Sequence, residues 1–386
     1  MKILRIVSTL NPEAGGPVSV FSAAVISVAA AGAEIECLTL LTPGKDISKF
    51  PDYERMVERG VRVHAFRNVA EAVVFLGRSI NSYDVVHVDG CWDPLCVLAV
   101  SIAKMTGRAA VVTPHETLTD EELQRTRSAA RLAIKRLLRL YYRAVIDSIV
   151  YSSALEQRDS LRHPNAVAVP HPVFNDIEGA RPVAIREGFA SAGQIQLGYL
   201  GRFHFKKKLE TIVSAAVRTA DVGLLVAGSG PKDYEESVRA LSRSEGRVKW
   251  LGFVQKSRRE EFFRSIDVLV LASEYECFGM SAAEALIRGI PVIVSERVGI
   301  ADDVREMQAG FVVKGDVESL AGAFARCAKL SSAQYCDLQS NALALAKRYS
   351  FSAHANAQLA VYAGLRTRAG VSDPSYRGRA TPSDLA

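Results

Sequence analysis

The sequence predicts an α/β chain of two parallel-sheet domains in series. Three observations lead there. Short β-branched and leucine-rich runs alternate with longer helical patterns. The alternation occurs twice, in segments of similar size, and between them the chain loses its periodicity and gains proline and glycine. A length of 386 residues is enough for about two hydrophobic cores.

In the first half, strands are expected at Lys2–Ser8, Ile35–Leu41, Val61–Ala65, Asp84–Val88, Ala110–Thr113 and Ser148–Tyr151. Helical patterns fall between them at Val18–Ala31, Val69–Arg78, Pro94–Thr106 and Thr126–Ile146. The second half repeats the scheme with strands at Ile195–Tyr199, Val222–Ala227, Val248–Leu251, Val268–Leu271, Pro291–Val294 and Gly310–Val313. From His171 to Gly193 the chain mixes Pro172, Pro182, Gly179, Gly188 and Gly193 with little periodicity, as a linker does. The expected domains are therefore 1–175 and 194–350, joined by a linker at 176–193. A helix over 351–366 is expected to return to the first domain, and the polar segment 367–386 is expected to be disordered.

Composition narrows the function classes. The chain is 48% apolar and 23% charged, as globular proteins are. Its six cysteines form no CxxC pair, which argues against a disulfide framework or a structural zinc site and fits a reducing, cytoplasmic compartment. Lys2 and Arg5 precede an apolar stretch, and Ala14–Ala33 has no charge, so a targeting or membrane-spanning segment is the alternative reading. Asn11-Pro12-Glu13 interrupts the run and four serines dilute it, which favours strand, glycine loop and buried helix. The net charge of +6 fits nucleic acid, an anionic membrane or phosphorylated small molecules.

Parallel sheets bind ligands at the carboxyl ends of their strands, so the residues there carry the functional reading. Gly15-Gly16 follows the first strand and opens a helix, where backbone can approach an anion closely; a tight turn alone also needs glycine. His115, in Pro114-His115-Glu116-Thr117, can donate to a sugar hydroxyl or a developing charge, or can be merely structural. Gly201-Arg202 with Lys206-Lys207-Lys208 makes a suitable clamp for a diphosphate, the alternative being a solvated loop. Gly228-Ser229-Gly230-Pro231 lacks the third glycine of a dinucleotide fingerprint and reads as a turn that keeps the sheet edge clear for a nucleoside.

The densest constellation runs from Ser273 to Glu284, directly after the strand Val268–Leu271. A helix starting near Gly279 or Met280 leaves Glu276 in the loop and Glu284 in the first turns. Its exposed amides would face phosphates, and the two carboxylates would accept hydrogen bonds from sugar and ribose hydroxyls. The bland reading is that Glu284 complements the helix dipole and Glu276 is solvated.

With these residues the chain resembles the retaining GT-B glycosyltransferases of family 4, whose hallmark is a Glu-x7-Glu motif. Glu276 and Glu284 have that spacing, with Phe278-Gly279 in register. Gly15-Gly16 is similar to the family's amino-terminal glycine pair, Gly201-Arg202 with Lys207 to its phosphate clamp, and Gly289-Ile290-Pro291-Val292-Ile293 to the segment after the motif helix. The resemblance implies two Rossmann-like domains facing across a cleft. It implies that Glu276 contacts the donor sugar, that Glu284 contacts the ribose, and that Arg202 and Lys207 hold the diphosphate, with Phe278, Gly279 and Met280 beside it. It also implies that His115 approaches the donor sugar and that Asp89-Gly90-Cys91-Trp92 lies beside the acceptor cleft. Four positions depart from the pattern: Cys277 and Lys208 replace glycines, Val298-Gly299 replaces a glycine pair, and His171 replaces an asparagine.

The activity so implied is transfer of a hexose from a nucleotide diphosphate sugar to a glycan or lipid-linked saccharide with retention, in surface polysaccharide biosynthesis. A sugar-nucleotide epimerase of related architecture and a non-catalytic sugar-nucleotide binder are the alternatives. No metal or other cofactor is expected: a DxD sequence is absent, and Asp302-Asp303 falls at a helix start. Seven basic and no acidic residues lie from Arg125 to Arg143. Arg131, Lys135, Arg139 and Arg143 recur every fourth position, and Ile134, Leu137, Leu138, Tyr141 and Val145 make an apolar face. Such a helix suits peripheral contact with an anionic membrane on its inner face, or an ordinary surface helix buried on one side. Nucleic acid is disfavoured because aromatic residues do not interleave with the basic ones.

Overall fold

The computed structural model describes residues 1–173, 195–243, 246–255 and 257–368. The linker expected at 176–193 and the tail from 369 onward lie outside the described residues. Thirteen strands form two parallel sheets. The first holds β1 (Lys2–Thr9), β2 (Glu34–Leu40), β3 (Arg62–Phe66), β4 (Val85–Asp89), β5 (Ala109–Thr113), β6 (Ser148–Tyr151) and β7 (Ala166–Ala168), in the order β3-β2-β1-β4-β5-β6-β7. The second holds β8 (Ile195–Leu200), β9 (Val222–Ala227), β10 (Val248–Gly252), β11 (Val268–Leu271), β12 (Val292–Ser295) and β13 (Gly310–Val313), in the order β10-β9-β8-β11-β12-β13.

The central strands β1, β4, β8 and β11 are buried on both faces because helices cover both faces of each sheet, and Arg5, His87 and Asp89 are polar exceptions in otherwise mostly apolar runs. Strand order reverses between β1 and β4 in one sheet and between β8 and β11 in the other. At such switch points the flanking loops diverge and leave a crevice at the carboxyl ends of the strands. The loops after β1, β4, β8 and β11 are thereby placed to build a site.

The helix Gly16–Ala30 is apolar nearly all round and buried from Val18 to Val28 apart from Ser19, as a core helix is. Part of its cover comes from the helix Phe351–Arg368, whose Phe351, Tyr362 and Leu365 join the first domain's core. The chain thus begins and ends its described length in the same domain. Direct bonds also tie the two halves: Ser152 and Ser153 donate their hydroxyls to the Cys277 carbonyl at 3.0 and 2.6 Å. Arg297 reaches Asp159 at 2.6 Å and Glu121 at 3.3 Å.

A surface region of the first domain differs from expectation. The helix expected at Thr126–Ile146 is present as Ala129–Val145, its start set by the Ser128 hydroxyl, which accepts from the Arg131 amide, and a short helix that was not expected, Asp120–Arg125, precedes it. The faces of Ala129–Val145 divide differently from expectation. Lys135 and Arg139 turn inward to Glu122 (2.5 Å) and Asp120 (2.7 Å), whereas Ile134, Leu137 and Leu140 are 56%, 67% and 64% exposed. Leu138, Tyr141 and Val145 pack on the core. The carboxylates of the preceding helix draw the long cations in, and the apolar stripe is left in solvent.

Candidate active site

The loops of the second domain come together at the β8/β11 switch. After β8, Phe205–Lys207 makes one 3-10 turn, with the His204 Nδ1 accepting from the Lys206 amide. Lys208 follows in the left-handed region (φ 48°) and starts the helix Leu209–Arg218. That conformation explains why a glycine would suit the position: an L side chain there costs about 1 kcal/mol that glycine avoids. Lys207 Nζ bonds both carboxylate oxygens of Glu276, Oε2 at 2.5 Å. Arg202 is exposed, and its guanidinium has no partner among the described residues. The His204 ring is pushed below its usual range by burial and by the charges of Lys206, Arg202 and Lys207, a sign of how closely the cations gather.

The glycines after β9 serve the same loop. A Cβ at Gly228 would lie 1.8 Å from the Gly201 carbonyl oxygen, and one at Gly230 would lie 2.2 Å from that of Phe203. They let the clamp backbone pack directly on the turn, a reason different from the clear sheet edge expected of them.

Beyond β11, Glu276 is held by backbone bonds on both sides, its N–H to the Arg297 carbonyl (2.9 Å) and its carbonyl from the Gly299 N–H (2.8 Å). Gly279 takes φ +112° and caps the helix Met280–Leu286 without any side-chain cap. Met280 packs on the core of the second domain, and Phe278 is buried. Glu284 sits in this helix and accepts from Arg259 Nε at 3.0 Å. Both glutamates thus carry cationic partners in the free protein. Asp302 and Asp303 lie in the helix Ala301–Glu306, paired with Arg305 (2.7 Å) and Arg348 (3.1 Å).

Opposite, His115 and Glu116 leave β5 with φ of 49° and 74°, an unusual pair of left-handed non-glycine residues. His115 Nε2 lies 2.8 Å from Asp89 Oδ1, and Asp89 takes two bonds from the buried Arg5, at 2.7 and 3.0 Å. Burial works against the ionised carboxyl of Asp89, but the Arg5 charge and the bonds from His115 and Arg5 outweigh it and hold it well below the usual carboxylate range. An ionised carboxylate only accepts, so Nε2 carries the proton and Nδ1 is an acceptor in the neutral ring. The neutral ring therefore accepts from a hydroxyl at Nδ1; donation there requires the imidazolium.

His115 also begins a line of rings that crosses between the domains: His171 at 5.5 Å, then Phe278 at 5.0 Å, then Tyr349 at 5.2 Å. Beside it, Glu116 bonds Lys206 from the other domain, and Arg125 reaches both Glu116 and Glu274 at 3.4 Å. Burial pushes the Glu116 carboxyl up, even with Lys206 bonded to it. Gly15 and Gly16 stand at the β1 switch with open space: a Cβ at either would meet nothing within 4 Å, and Gly15 alone is fixed by its φ of +83°. No hydrogen bond among the described residues joins them to the clamp. Arg5, Glu116 and Arg259 were not singled out as site residues in the sequence, and Lys206 stood there only within the lysine run of the clamp. A lone arginine within an apolar strand was the one available signal, for Arg5.

Two parallel sheets meeting at paired switch points, with a helix returning from the second half to the first, decide the architecture. The fold is GT-B. Residues 194–329 match the family described as Glycosyl transferases group 1. The Anabaena HepE structure in complex with UDP superposes on this GT-B chain with a TM-score of 0.73 at 18% identity, covering 94% of this chain and 100% of that one. A sucrose-phosphate synthase from Thermosynechococcus elongatus does so with 0.71 at 19%, covering 95% and 100%. In sequence, an uncharacterised glycosyltransferase of Methanocaldococcus jannaschii is 31% identical over 32% of this chain and 33% of its own. The 2-deoxystreptamine glucosyltransferase of Streptomyces kanamyceticus is 30% identical over 40% and 42%. Both matches thus span less than half of those relatives. The phosphatidyl-myo-inositol mannosyltransferase of Mycobacterium tuberculosis is 24% identical over 74% and 76%.

Proposed function

We propose that the chain is a retaining glycosyltransferase of family 4 that moves a hexose from a nucleotide diphosphate sugar to a glycan or lipid-linked saccharide, in surface polysaccharide biosynthesis. The observation that carries this reading is the contact of Lys207 with Glu276, on the same loop as Arg202, whose guanidinium has no partner among the described residues, and opposite the domain that holds His115. It supports a reading in which Arg202 and Lys207 are the cations for a diphosphate, Glu276 the carboxylate for sugar hydroxyls and His115 the oriented imidazole. The names of the sequence relatives, all transferases among those above, support it, and nothing favours an epimerase.

In this reading Arg202 and Lys207 neutralise the leaving diphosphate without a metal ion. Glu276 holds the donor sugar, Glu284 holds the ribose, and Gly15, Gly16, Phe278, Gly279 and Met280 line the donor. The acceptor hydroxyl attacks the anomeric carbon from the face that the diphosphate leaves, and the departing phosphate oxygen takes its proton. His115, oriented by Asp89, supports the sugar during that step. No helix among the described residues is long and apolar enough to cross a membrane. The protein works in the cytoplasm, and the exposed Ile134, Leu137 and Leu140 among arginines give it peripheral contact with the inner face of an anionic membrane.

The test is Glu276→Ala. Transfer should vanish while the thermal midpoint stays that of a folded protein, and full activity in that variant would sink the assignment. A thermal-shift screen with UDP-, GDP- and ADP-sugars identifies the donor, because a bound ligand raises stability by mass action.

A further inference from the structure

The elbow between the helices Asp120–Arg125 and Ala129–Val145 holds an open pocket of about 480 Å³. Four cations line it, Arg125, Arg127, Arg131 and Lys135, together with the hydroxyls of Thr126 and Ser128 and one carboxylate, Glu122. The cations differ in how far they are neutralised. Lys135 is paired with Glu122, and Arg125 is shared among Glu116, Glu121 and Glu274. Arg127 and Arg131 are exposed and make no ion pair among the described residues. The Thr126 hydroxyl donates to the Glu122 carbonyl, whereas Ser128 Oγ accepts from the Arg131 amide and keeps its proton, so two free guanidinium groups and one hydroxyl are the donors offered to a tetrahedral oxyanion.

What adjoins the pocket on each side narrows the ligand. On one side the same helix continues with the exposed Ile134, Leu137 and Leu140. On the other, Arg125 bonds Glu116, the residue after His115, and Glu274, two residues before Glu276. Trp92 lies beneath Lys135, with Nζ 5.6 Å from its ring centre. An apolar stripe, an anion pocket and the reaction crevice therefore follow one another along one edge of the first domain.

We propose that this elbow pocket binds the phosphate or diphosphate of a lipid-linked acceptor, with the phosphate on Arg127 and Arg131 and the lipid chain along Ile134, Leu137 and Leu140. This rests on the transferase reading and deepens it by naming the acceptor's chemistry. The phosphate fixes the amphiphile at a set distance from its saccharide end, which then enters the crevice beside His115. Surface charge alone would give any anionic membrane equal affinity; the pocket makes the diphosphate of a lipid carrier preferred over the phosphodiester of a phospholipid.

Flotation of the full chain with phosphatidylcholine vesicles tests it in three arms: no addition, a small fraction of a long-chain polyprenyl diphosphate, and phosphatidylglycerol matched in total charge. Binding should be tightest to the polyprenyl diphosphate vesicles and should be competed by inorganic diphosphate. Arg127→Ser with Arg131→Ser should weaken it about 30-fold, from about five-fold for each cation near an anionic surface. Leu137→Glu should weaken vesicle binding independently. Equal binding to the phosphatidylglycerol vesicles, an unchanged double variant, or capture of inorganic diphosphate without any flotation would each overturn the proposal. Thermal midpoints with and without nucleotide confirm that the variants are folded and bind donor. Failure of the vesicle arms with transfer intact removes only the pocket, whereas activity in Glu276→Ala removes the transferase reading and leaves the vesicle result standing.

Discussion

Replacing Asp89 with asparagine perturbs the point where stability and chemistry meet. Arg5 is 1% exposed and Asp89 4%, and both carboxylate oxygens are engaged, Oδ2 by Arg5 Nε and Oδ1 by Arg5 Nη2 and His115 Nε2. The amide removes the counter-charge and sets a donor against donors, while the histidines packed nearby, His87, His171 and His354, are driven toward their neutral forms by burial. A buried charge left unpaired costs roughly 3–5 kcal/mol. Over a domain of this size that is about 6–20 °C of melting temperature. The chain has two tryptophans, Trp92 in the first domain and Trp250 in the second, so Trp250→Phe leaves Trp92 as a local reporter for urea unfolding. Replacing both partners, Arg5→Met with Asp89→Leu, removes the charge altogether and should recover most of the stability. It should not recover transfer, because His115 then has no carboxylate to fix its proton on Nε2. An Asp89→Asn protein within about 1 kcal/mol of the wild type, or a double variant less stable than the single one, would refute the argument.

Acid should destabilise the fold in a defined window. Burial pushes His354 down to about 4, and pushes His87 and His171 well below their ordinary value. The unfolded chain then binds more protons below about 6.5, so stability present at neutral pH is lost as pH falls from there toward 4. His354 alone contributes about 2 kcal/mol of that loss at pH 5, and urea midpoints that do not fall between pH 7 and 5 would contradict the assignment of neutral rings. Gly279→Ala should cost roughly 1–3 kcal/mol, because it forces a φ of +112° on alanine and sets its Cβ 2.7 Å from Val298 Cγ1. Val298→Ala in the same protein should restore part of the loss by removing the contact but not the strain, as read from thermal midpoints.

The two-sheet architecture was legible because its strands are short, apolar and separated by helical periods, and β1, β4, β8 and β11 need no information beyond their own residues. Ala166–Ala168 escaped because three residues carry no period. Which face of the helix Ala129–Val145 turns outward was also hidden, since it depends on where Asp120 and Glu122 lie once the chain folds back. The strand-end residues could be named from sequence, but not their partners. Glu276 and Lys207 are 69 residues apart, and Arg5 and Asp89 are 84 apart. Gly228 and Gly230 read as a clearance for ligand, while the structure uses them for the backbone of Gly201–Phe203.

The pairing of Lys207 with Glu276 changes what binding means at this site. If the crevice binds as proposed, a carboxylate that holds Lys207 in the free protein must release it when a diphosphate arrives, and the release leaves Glu276 free to take sugar hydroxyls. Donor binding is then an exchange, in which a nucleotide without a sugar displaces the carboxylate but offers it no hydroxyls in return. Glu276→Gln removes the competitor and its repulsion of phosphate while keeping its shape. Both side chains are about one fifth exposed, so the pair is worth on the order of 1 kcal/mol. The variant should therefore bind free UDP or GDP, whichever the thermal screen selects, about five-fold more tightly than the wild type by titration calorimetry. It should gain less, or nothing, toward the intact sugar nucleotide, and it should not transfer. Weaker binding of the free nucleotide by Glu276→Gln would mean that Glu276 supports the diphosphate rather than competing with it, and the exchange would be wrong even if the assignment of the crevice were right.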